Sequence, residues 1–277
     1  MRRGFVITIS TILLLMVILL FSQANQNRMR EEQRAVMEAH LIDSAAYFFD
    51  DAAEDFRSML GPAVEISRNS SESNITFRDR LPRGGGDGLL LSNYGEFVAD
   101  YSNKTNSAVS LNSSNLENGR LIVFSNGLRY DRNSTSVRFY SSSGGTNATA
   151  YELSIFSNAY RKGENISSLS KTGSVRLTIH YSDLSGNRDV SGAFDPNAET
   201  VYSVNYTDSP ESALLVRVGS SGSPGSVGVE QNGSVQTDMN VTATGGWSCA
   251  LDYAYDVNMS YRQLNAAKEG LLWVRKG

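Results

Sequence analysis

Residues that could carry out chemistry are few in this chain of 277 residues, and their spacing indicates no catalytic site. The one cysteine, Cys249, has no histidine near it, and the two histidines, His40 and His180, are far apart in sequence. A lone thiol is typical of a small buried residue, and a histidine-based metal site needs several ligands that converge. We therefore predict that the chain is not an enzyme and binds no cofactor or metal.

Three other stretches have some features of ligand sites. The acidic residues from Asp50 to Asp55 would surround one turn of a helix, which suits a solvated face better than converging metal ligands. The turn from Asp183 to Asp189 leaves a weak calcium site open, and the glycine run from Gly84 to Gly88 lacks the Lys-Ser/Thr ending of a phosphate-binding loop. A hydrolase whose site is scattered over loops also stays open, because sequence does not show which carboxylates meet in space.

Charge and cysteine content narrow the partners and the means of stabilisation. The net charge is −4 and no basic stretch follows residue 34, so we expect no nucleic-acid partner. A single cysteine forms no disulfide within the chain, so a packed core must supply the stability.

Sequons of the form Asn-x-Ser/Thr are the strongest compositional signal. The 22 asparagines and 53 serines and threonines would give about four sequons at random, whereas the chain has eleven. All lie beyond residue 60, and we predict that most are glycosylation sites on an exported domain. The asparagines are Asn69, Asn74, Asn103, Asn112, Asn133, Asn147, Asn165, Asn205, Asn232, Asn240 and Asn258.

The N-terminal stretch has the composition of a membrane segment. Phe5 to Phe21 contains seventeen residues without a charge, within the length that crosses a bilayer as a helix. Arg2 and Arg3 precede it, which predicts a cytoplasmic N-terminus and an extracellular C-terminal domain. Membrane lipid is therefore an expected partner. The sequence Ser22-Gln23-Ala24 leaves open that the segment is a cleaved secretory signal.

Residues 25–61 have the pattern of an amphipathic helix that continues the membrane segment. No glycine or proline occurs between Arg28 and Leu60, and Gly61-Pro62 gives a stop. Apolar residues spaced by three or four form one stripe. The stripe contains Met37, Leu41, Ala45, Phe48, Ala52, Phe56 and Met59, and it is widened by Ile42, Ala46, Phe49, Ala53 and Leu60. We expect Phe48, Phe49 and Phe56 to pack on the chain's own head, which is its C-terminal domain, or on neighbouring subunits.

The rest of the chain has the pattern of short strands and turns. Residues 62–92 predict a flexible connector with one short strand around Ile75–Phe77, and residues 93–277 predict a β-rich domain. Asn126-Gly127 indicates a hairpin turn. Val175 to Tyr181 alternates, with His180 on the polar face. The expected fold is α+β: a helix with a transmembrane part (1–24) and an amphipathic part (25–61), then an antiparallel β-sandwich-like head.

The order of these elements resembles the type IV pilin plan, and it is closest to archaeal pilin-like proteins with class III signal peptides. The residues that carry the resemblance are Arg3-Gly4-Phe5, followed by the apolar helix, its amphipathic continuation and the β-rich head. The resemblance implies that a membrane peptidase cuts between Gly4 and Phe5 and that the helix becomes the filament core. Bacterial members carry a glutamate at the fifth mature position, where this chain has Ile9; archaeal members often lack it too.

Two functions follow from this sequence. The preferred one is a membrane-inserted, glycosylated, pilin-like surface subunit that assembles through its N-terminal helix, by self-association or with other pilin-like subunits. The packing residues would be Met37, Leu41, Phe48, Phe49 and Phe56. The alternative is a monomeric, signal-anchored binding or adhesin module without filament assembly, for which a surface or a glycan is the candidate ligand.

Overall fold

A computed structural model describes residues 2–61, 63–69, 71–83, 87–166, 173–247, 252–263 and 266–274. A long N-terminal helix leads into strands that alternate with two shorter helices. The elements are α1 (Arg2–Leu60), β1 (Ala63–Arg68), β2 (Ser73–Leu81), α2 (Asp87–Thr105), β3 (Ala108–Asn112), α3 (Ser114–Glu117), β4 (Arg120–Phe124), β5 (Leu128–Arg132), β6 (Ser136–Ser141), β7 (Ala148–Ser157), β8 (Arg161–Ile166), β9 (Val175–Asp183), β10 (Gly186–Phe194), β11 (Thr200–Tyr206), β12 (Ala213–Val218), β13 (Val227–Asn232), β14 (Thr237–Gly245), β15 (Tyr253–Gln263) and β16 (Ala266–Val274).

The strands form two sheets. The first sheet has six strands in the order β1-β2-β14-β7-β9-β10, and the second has ten, in the order β16-β15-β4-β5-β6-β13-β12-β11-β8 with β3 also paired to β15. This confirms an α+β fold with a long N-terminal helix and antiparallel sheets. One pair, β7 with β9, is parallel, because β8 between them in sequence belongs to the second sheet.

The two sheets meet across an aromatic core. Phe77 on β2 of the first sheet stacks on Tyr130 on β5 of the second, with ring centres 4.4 Å apart and planes 5° apart. The alternation predicted from Val175 to Tyr181 is confirmed, since every second residue of β9 is buried. The predicted hairpin at Asn126-Gly127 is also confirmed: β4 and β5 pair as antiparallel neighbours, and Gly127 has the positive φ of +82° that favours glycine.

The segment 62–92, expected to be a flexible connector, instead holds two paired strands and the start of a helix. β2 pairs with β1 on one side and with β14 on the other. Its inward residues alternate with polar ones such as Arg78, and serine-rich flanks conceal that pattern in the sequence. α2 was not predicted, although Leu91, Tyr94 and Val98 repeat at helical spacing and are buried.

The last four turns of α1 pack on the head, chiefly against β16 and β15. The apolar stripe predicted from spacing, together with the residues that widen it, includes every buried residue of this part of α1, whereas Phe48 and Met59 are only partly buried at its edge. Phe56 is fully buried and meets the Tyr94 ring of α2 edge-on, with centres 4.9 Å apart. The buried residues of α1 are Ala45, Phe49, Ala52, Ala53, Phe56 and Leu60.

A buried polar cluster, here called the junction cluster, joins the end of α1 to both sheets. It consists of Leu60, Asp79, Tyr130 and Arg132. Nη1 of Arg132 donates a hydrogen bond to the Leu60 carbonyl oxygen at 2.8 Å and lies 3.3 Å from Oδ2 of Asp79. The Tyr130 hydroxyl donates to the same carboxylate at 3.0 Å. The side chains of Arg132 and Asp79 are only 3 % and 1 % exposed, so the ion pair is shielded from water.

Replacing Arg132 by methionine should destabilise the head strongly. Arg132→Met leaves the buried Asp79 carboxylate with only the longer contact to Arg83, whose Nε lies 3.7 Å from Oδ1 of Asp79, and removes the donor to the Leu60 carbonyl, a loss of about 3–5 kcal/mol in the free energy of unfolding. Urea unfolding followed by circular dichroism measures it. The control is Arg217→Met, since Arg217 makes an exposed ion pair with Glu199 at 3.3 Å and such pairs contribute about 0–1 kcal/mol. Equal effects of the two substitutions would contradict the role of the junction cluster.

Buried tyrosines should make the fold sensitive to alkali. Burial raises the pKa of the Tyr151 hydroxyl; burial, with the Asp79 charge second, raises the pKa of Tyr130. The unfolded chain ionises its tyrosines near pH 10, so above that pH it binds fewer protons than the folded chain. Stability should be fully present below about pH 10 and fall as the pH rises further.

The measurement is urea unfolding between pH 8 and pH 12. Tyr151→Phe should reduce the steepness of the fall above about pH 10, because one group no longer ionises only in the unfolded chain. An unchanged slope in that variant would show that Tyr151 does not contribute.

Candidate functional site

The N-terminal part of α1 extends away from the head. Every described side chain from residue 12 to residue 37 is exposed, and we call residues 12–37 the free segment. It includes ten consecutive apolar residues, Ile12 to Phe21, whose side chains are 55–73 % exposed. So long an apolar surface without cover is unusual for a folded chain in water. It identifies the free segment as the candidate contact surface.

A second apolar surface lies on the side of α1 that faces away from the head. Met29, Val36 and Tyr47, here called the outer stripe, are all exposed. With 3.6 residues per turn, these three side chains project within about 20° of the direction opposite Phe56. Because Phe56 points into the head, the outer stripe points outward. Its spacing is visible in the sequence, but the wider stripe used for prediction did not include it.

The structure separates the five predicted packing residues into two groups. Phe48, Phe49 and Phe56 pack on the chain's own head: Phe48 stacks on Tyr101 with ring centres 4.5 Å apart, and Nζ of Lys268 lies 4.4 Å from the centre of the Phe49 ring. Met37 is exposed and Leu41 is half-buried.

The structure describes the backbone of the predicted processing residues but not the cysteine. Gly4 and Phe5 lie within α1, but the side chain of Phe5 falls outside the described residues, as does the whole of Cys249.

All eleven sequon asparagines are described, and none is buried. Eight are exposed, whereas Asn74, Asn232 and Asn240 are half-buried. Surface exposure of this kind leaves most of the predicted glycan acceptors accessible.

The outer face of the first sheet carries a row of polar side chains that the sequence did not reveal. Strand pairing places Arg78, Asn240, Ser154, His180 and Asp189 side by side on five adjacent strands. His180 is 45 % exposed, which confirms its predicted position on the polar face of β9. Its Nδ1 lies 2.8 Å from Oδ1 of Asp189, so the two side chains form a hydrogen-bonded pair at one end of the row.

A cluster of metal-ligating side chains is absent from the described residues. In the ranges given above, no three side chains of histidine, cysteine, aspartate or glutamate converge as metal ligands would. Asp183 is a turn residue, because its Oδ1 accepts hydrogen bonds from the backbone N–H groups of Ser185 and Gly186 at 2.8 and 3.1 Å. Within the same part of the chain, no helix combines the length and the apolar character needed to cross a membrane.

Comparison with known proteins gives no relative. No protein-family model matches the chain, and no curated protein or solved structure shows significant similarity to it.

Replacement by serine should lower the stability of the head strongly at Phe56 and hardly at all at Met37. Phe56→Ser removes a fully buried ring and introduces a hydroxyl, so we expect a loss of about 3–5 kcal/mol in the free energy of unfolding. Met37→Ser changes an exposed position and should alter it by no more than about 0.5 kcal/mol. Chemical denaturation of both variants measures the difference. A marked loss of stability in Met37→Ser would mean that Met37 packs on the head.

Proposed function

We propose that the chain is a pilin-like structural subunit of a cell surface, inserted in a membrane and glycosylated, that assembles through α1 with further copies or with related subunits. The observation that carries the proposal is the free segment, whose side chains from residue 12 to residue 37 are all exposed. A subunit of this kind has no enzymatic step. Its mechanism is the burial of helix surface against lipid and then against neighbouring helices.

The apolar part of the free segment supplies the driving force. Removing a large apolar side chain from water contributes about 1.5–3 kcal/mol, and Ile12 to Phe21 offers ten such residues in succession. The uncharged run begins at Phe5 in the sequence, which supports a lipid environment before assembly. Arg2 and Arg3 support an N-terminus in the cytoplasm before any cleavage at Gly4-Phe5.

The outer stripe supports contact between helices beyond the membrane segment. The head covers the opposite side of α1 at Ala45 to Leu60, so a neighbouring helix reaches Met29, Val36 and Tyr47 without displacing it. Exposed ion pairs at helical spacing keep other positions solvated: Arg28 with Glu32 and Arg34 with Glu38, each at 3.0 Å.

The two facing sheets support a sandwich-like head on the solvent side of such an assembly. In this proposal the accessible sequon asparagines carry glycans that keep the heads hydrated. The polar row on the first sheet favours a second candidate, a monomeric anchored binding module. The two candidates differ in whether α1 meets other copies.

The proposal predicts filaments that depend on the outer stripe. In the native host, Met29→Ser combined with Val36→Ser should abolish filaments seen by electron microscopy, because the helix contact loses its apolar surface. Unfolding of the head should be unchanged. Leu184→Ser is the matched control, since Leu184 is an exposed apolar residue on the β9–β10 turn, away from α1; it should leave filaments intact.

Mass spectrometry of the mature chain completes the test. Assembly as proposed requires an N-terminus at Phe5. A chain that starts at Met1 and forms no filaments would instead support the anchored module, and a start at Asn25 would exclude both.

A further inference from the structure

The outer face of the first sheet encloses a shallow cleft of about 630 Å³. Small-molecule sites occupy roughly 300–1,000 Å³, so the cleft has the size of a ligand site. The cleft extends over five neighbouring strands of this sheet, in the order β2, β14, β7, β9 and β10. The proposed assembly through α1 does not involve this surface.

Polar side chains cross the floor of the cleft in register. Asn240 pairs with Arg78 on one side and with Ser154 on the other, and Ser154 continues the row to His180 and Asp189. Neighbouring strands are about 4.8 Å apart, so the row is about 19 Å long. An extended ligand could therefore bond to several strands at once.

The charges at the borders of the cleft are paired with one another. Arg80 is hydrogen-bonded to Asp238, Arg78 lies 3.4 Å from Glu65, and His180 bonds to Asp189. An ionic ligand would have to compete with these partners for its counter-charge. The pairing therefore favours a ligand without net charge.

The centre of the cleft has a hydrogen-bond acceptor that is not used. The Oδ1 atom of Asn240 is buried and has no hydrogen-bond partner among the described residues. Buried polar atoms are normally hydrogen-bonded, so this oxygen could accept a hydrogen bond from a ligand hydroxyl once the amide turns toward the cleft. Ser154, its exposed neighbour in the row, can donate and accept a hydrogen bond.

An aromatic ring borders the same cleft. Phe156 lies on β7 two residues beyond Ser154, lines the cleft and is 43 % exposed. The faces of aromatic rings carry partial negative charge and attract the weakly positive C–H groups of a flat apolar surface. A neutral ligand that combines hydroxyl groups with such a surface therefore fits the whole site.

We propose that this cleft binds a neutral oligosaccharide. Hydroxyl groups of the sugar bond to Asn240, Ser154 and His180, and the C–H face of one sugar ring packs on Phe156. The site belongs to the head and does not require assembly through α1, so it serves a filament subunit and an anchored module equally.

Asn240 is also the asparagine of a sequon. A glycan on its amide nitrogen would occupy the cleft, so the proposal requires that Asn240 is unmodified when an external sugar binds. For this reason the protein for the test is made in a bacterial host without N-glycosylation, as the full chain in a detergent without a sugar headgroup.

Calorimetric titration with mannohexaose, maltohexaose and cellohexaose tests the proposal. We expect at least one of them to bind, and Phe156→Ala and Asn240→Ala each to weaken its affinity at least about tenfold. Trp273→Ala is the control, because Trp273 is also 43 % exposed but lies on β16 of the second sheet; it should leave the affinity unchanged.

The contrary outcomes are distinct. Binding of none of the three sugars, equal affinity in the Phe156→Ala and Asn240→Ala variants, or an equal loss in Trp273→Ala would overturn the proposal. Stronger binding of an acidic hexagalacturonate than of every neutral sugar would also overturn it.

A second measurement avoids any effect of substitution on folding. Hydroxyl-radical oxidation of the unmutated chain should be reduced at Phe156 when the sugar is bound and unchanged at Trp273. Protection at Trp273 with none at Phe156 would place the sugar elsewhere and contradict the assignment.

Discussion

The arrangement of this protein depends on one buried cation. The guanidinium of Arg132 bonds to the last carbonyl of α1 and to the Asp79 carboxylate of the first sheet, while Arg132 itself belongs to the second sheet. Guanidinium has five N–H donors in a fixed plane, so one side chain can serve a carbonyl and a carboxylate together. Removing Asp79 would leave the charge of Arg132 in a site that water does not reach, and removing Arg132 would leave Asp79 with only the longer 3.7 Å contact to Arg83. The relative positions of helix and sheets are thereby coupled at a single point.

The free segment of α1 and the polar cleft of the first sheet lie on different parts of the molecule. Since α1 ends at the junction cluster and the buried residues of its described part begin at Ala45, the free segment (residues 12–37) is exposed. The polar cleft lies on the outer face of the first sheet, whereas α1 packs on β15 and β16 of the second. Assembly and ligand binding would therefore use different faces, and neither would require the other to change shape.

Local patterns in the sequence were sufficient to predict some elements of the fold and not others. The end of α1, the alternation of β9 and the hairpin at Asn126-Gly127 all follow from rules that involve neighbouring residues. Only the short stretch around Ile75–Phe77 of β2 was predicted as a strand, because the inward set of β2 also includes Asp79, a charged residue whose partners are distant in sequence. Periodicity placed a stripe on α1 but not its centre, since Phe48 and Phe49 fit the spacing almost equally well.

The polar cleft could not be predicted from the sequence for a related reason. Arg78 and Asn240 are more than 150 residues apart, and only the pairing of β2 with β14 brings them together. The outer stripe, in contrast, is local. Met29, Val36 and Tyr47 have helical spacing that a search for a second stripe, opposite the first, would have found.

The docking of α1 on β16 also sets an order of events during synthesis. More than 200 residues separate Leu60 from Ala266, so the ribosome completes the helix long before it makes the strand that covers it. Throughout that interval, Phe49, Phe56 and their apolar neighbours lack the surface that finally buries them. Shielding of this part of the helix until β16 emerges would limit aggregation, since transiently exposed apolar surface promotes it.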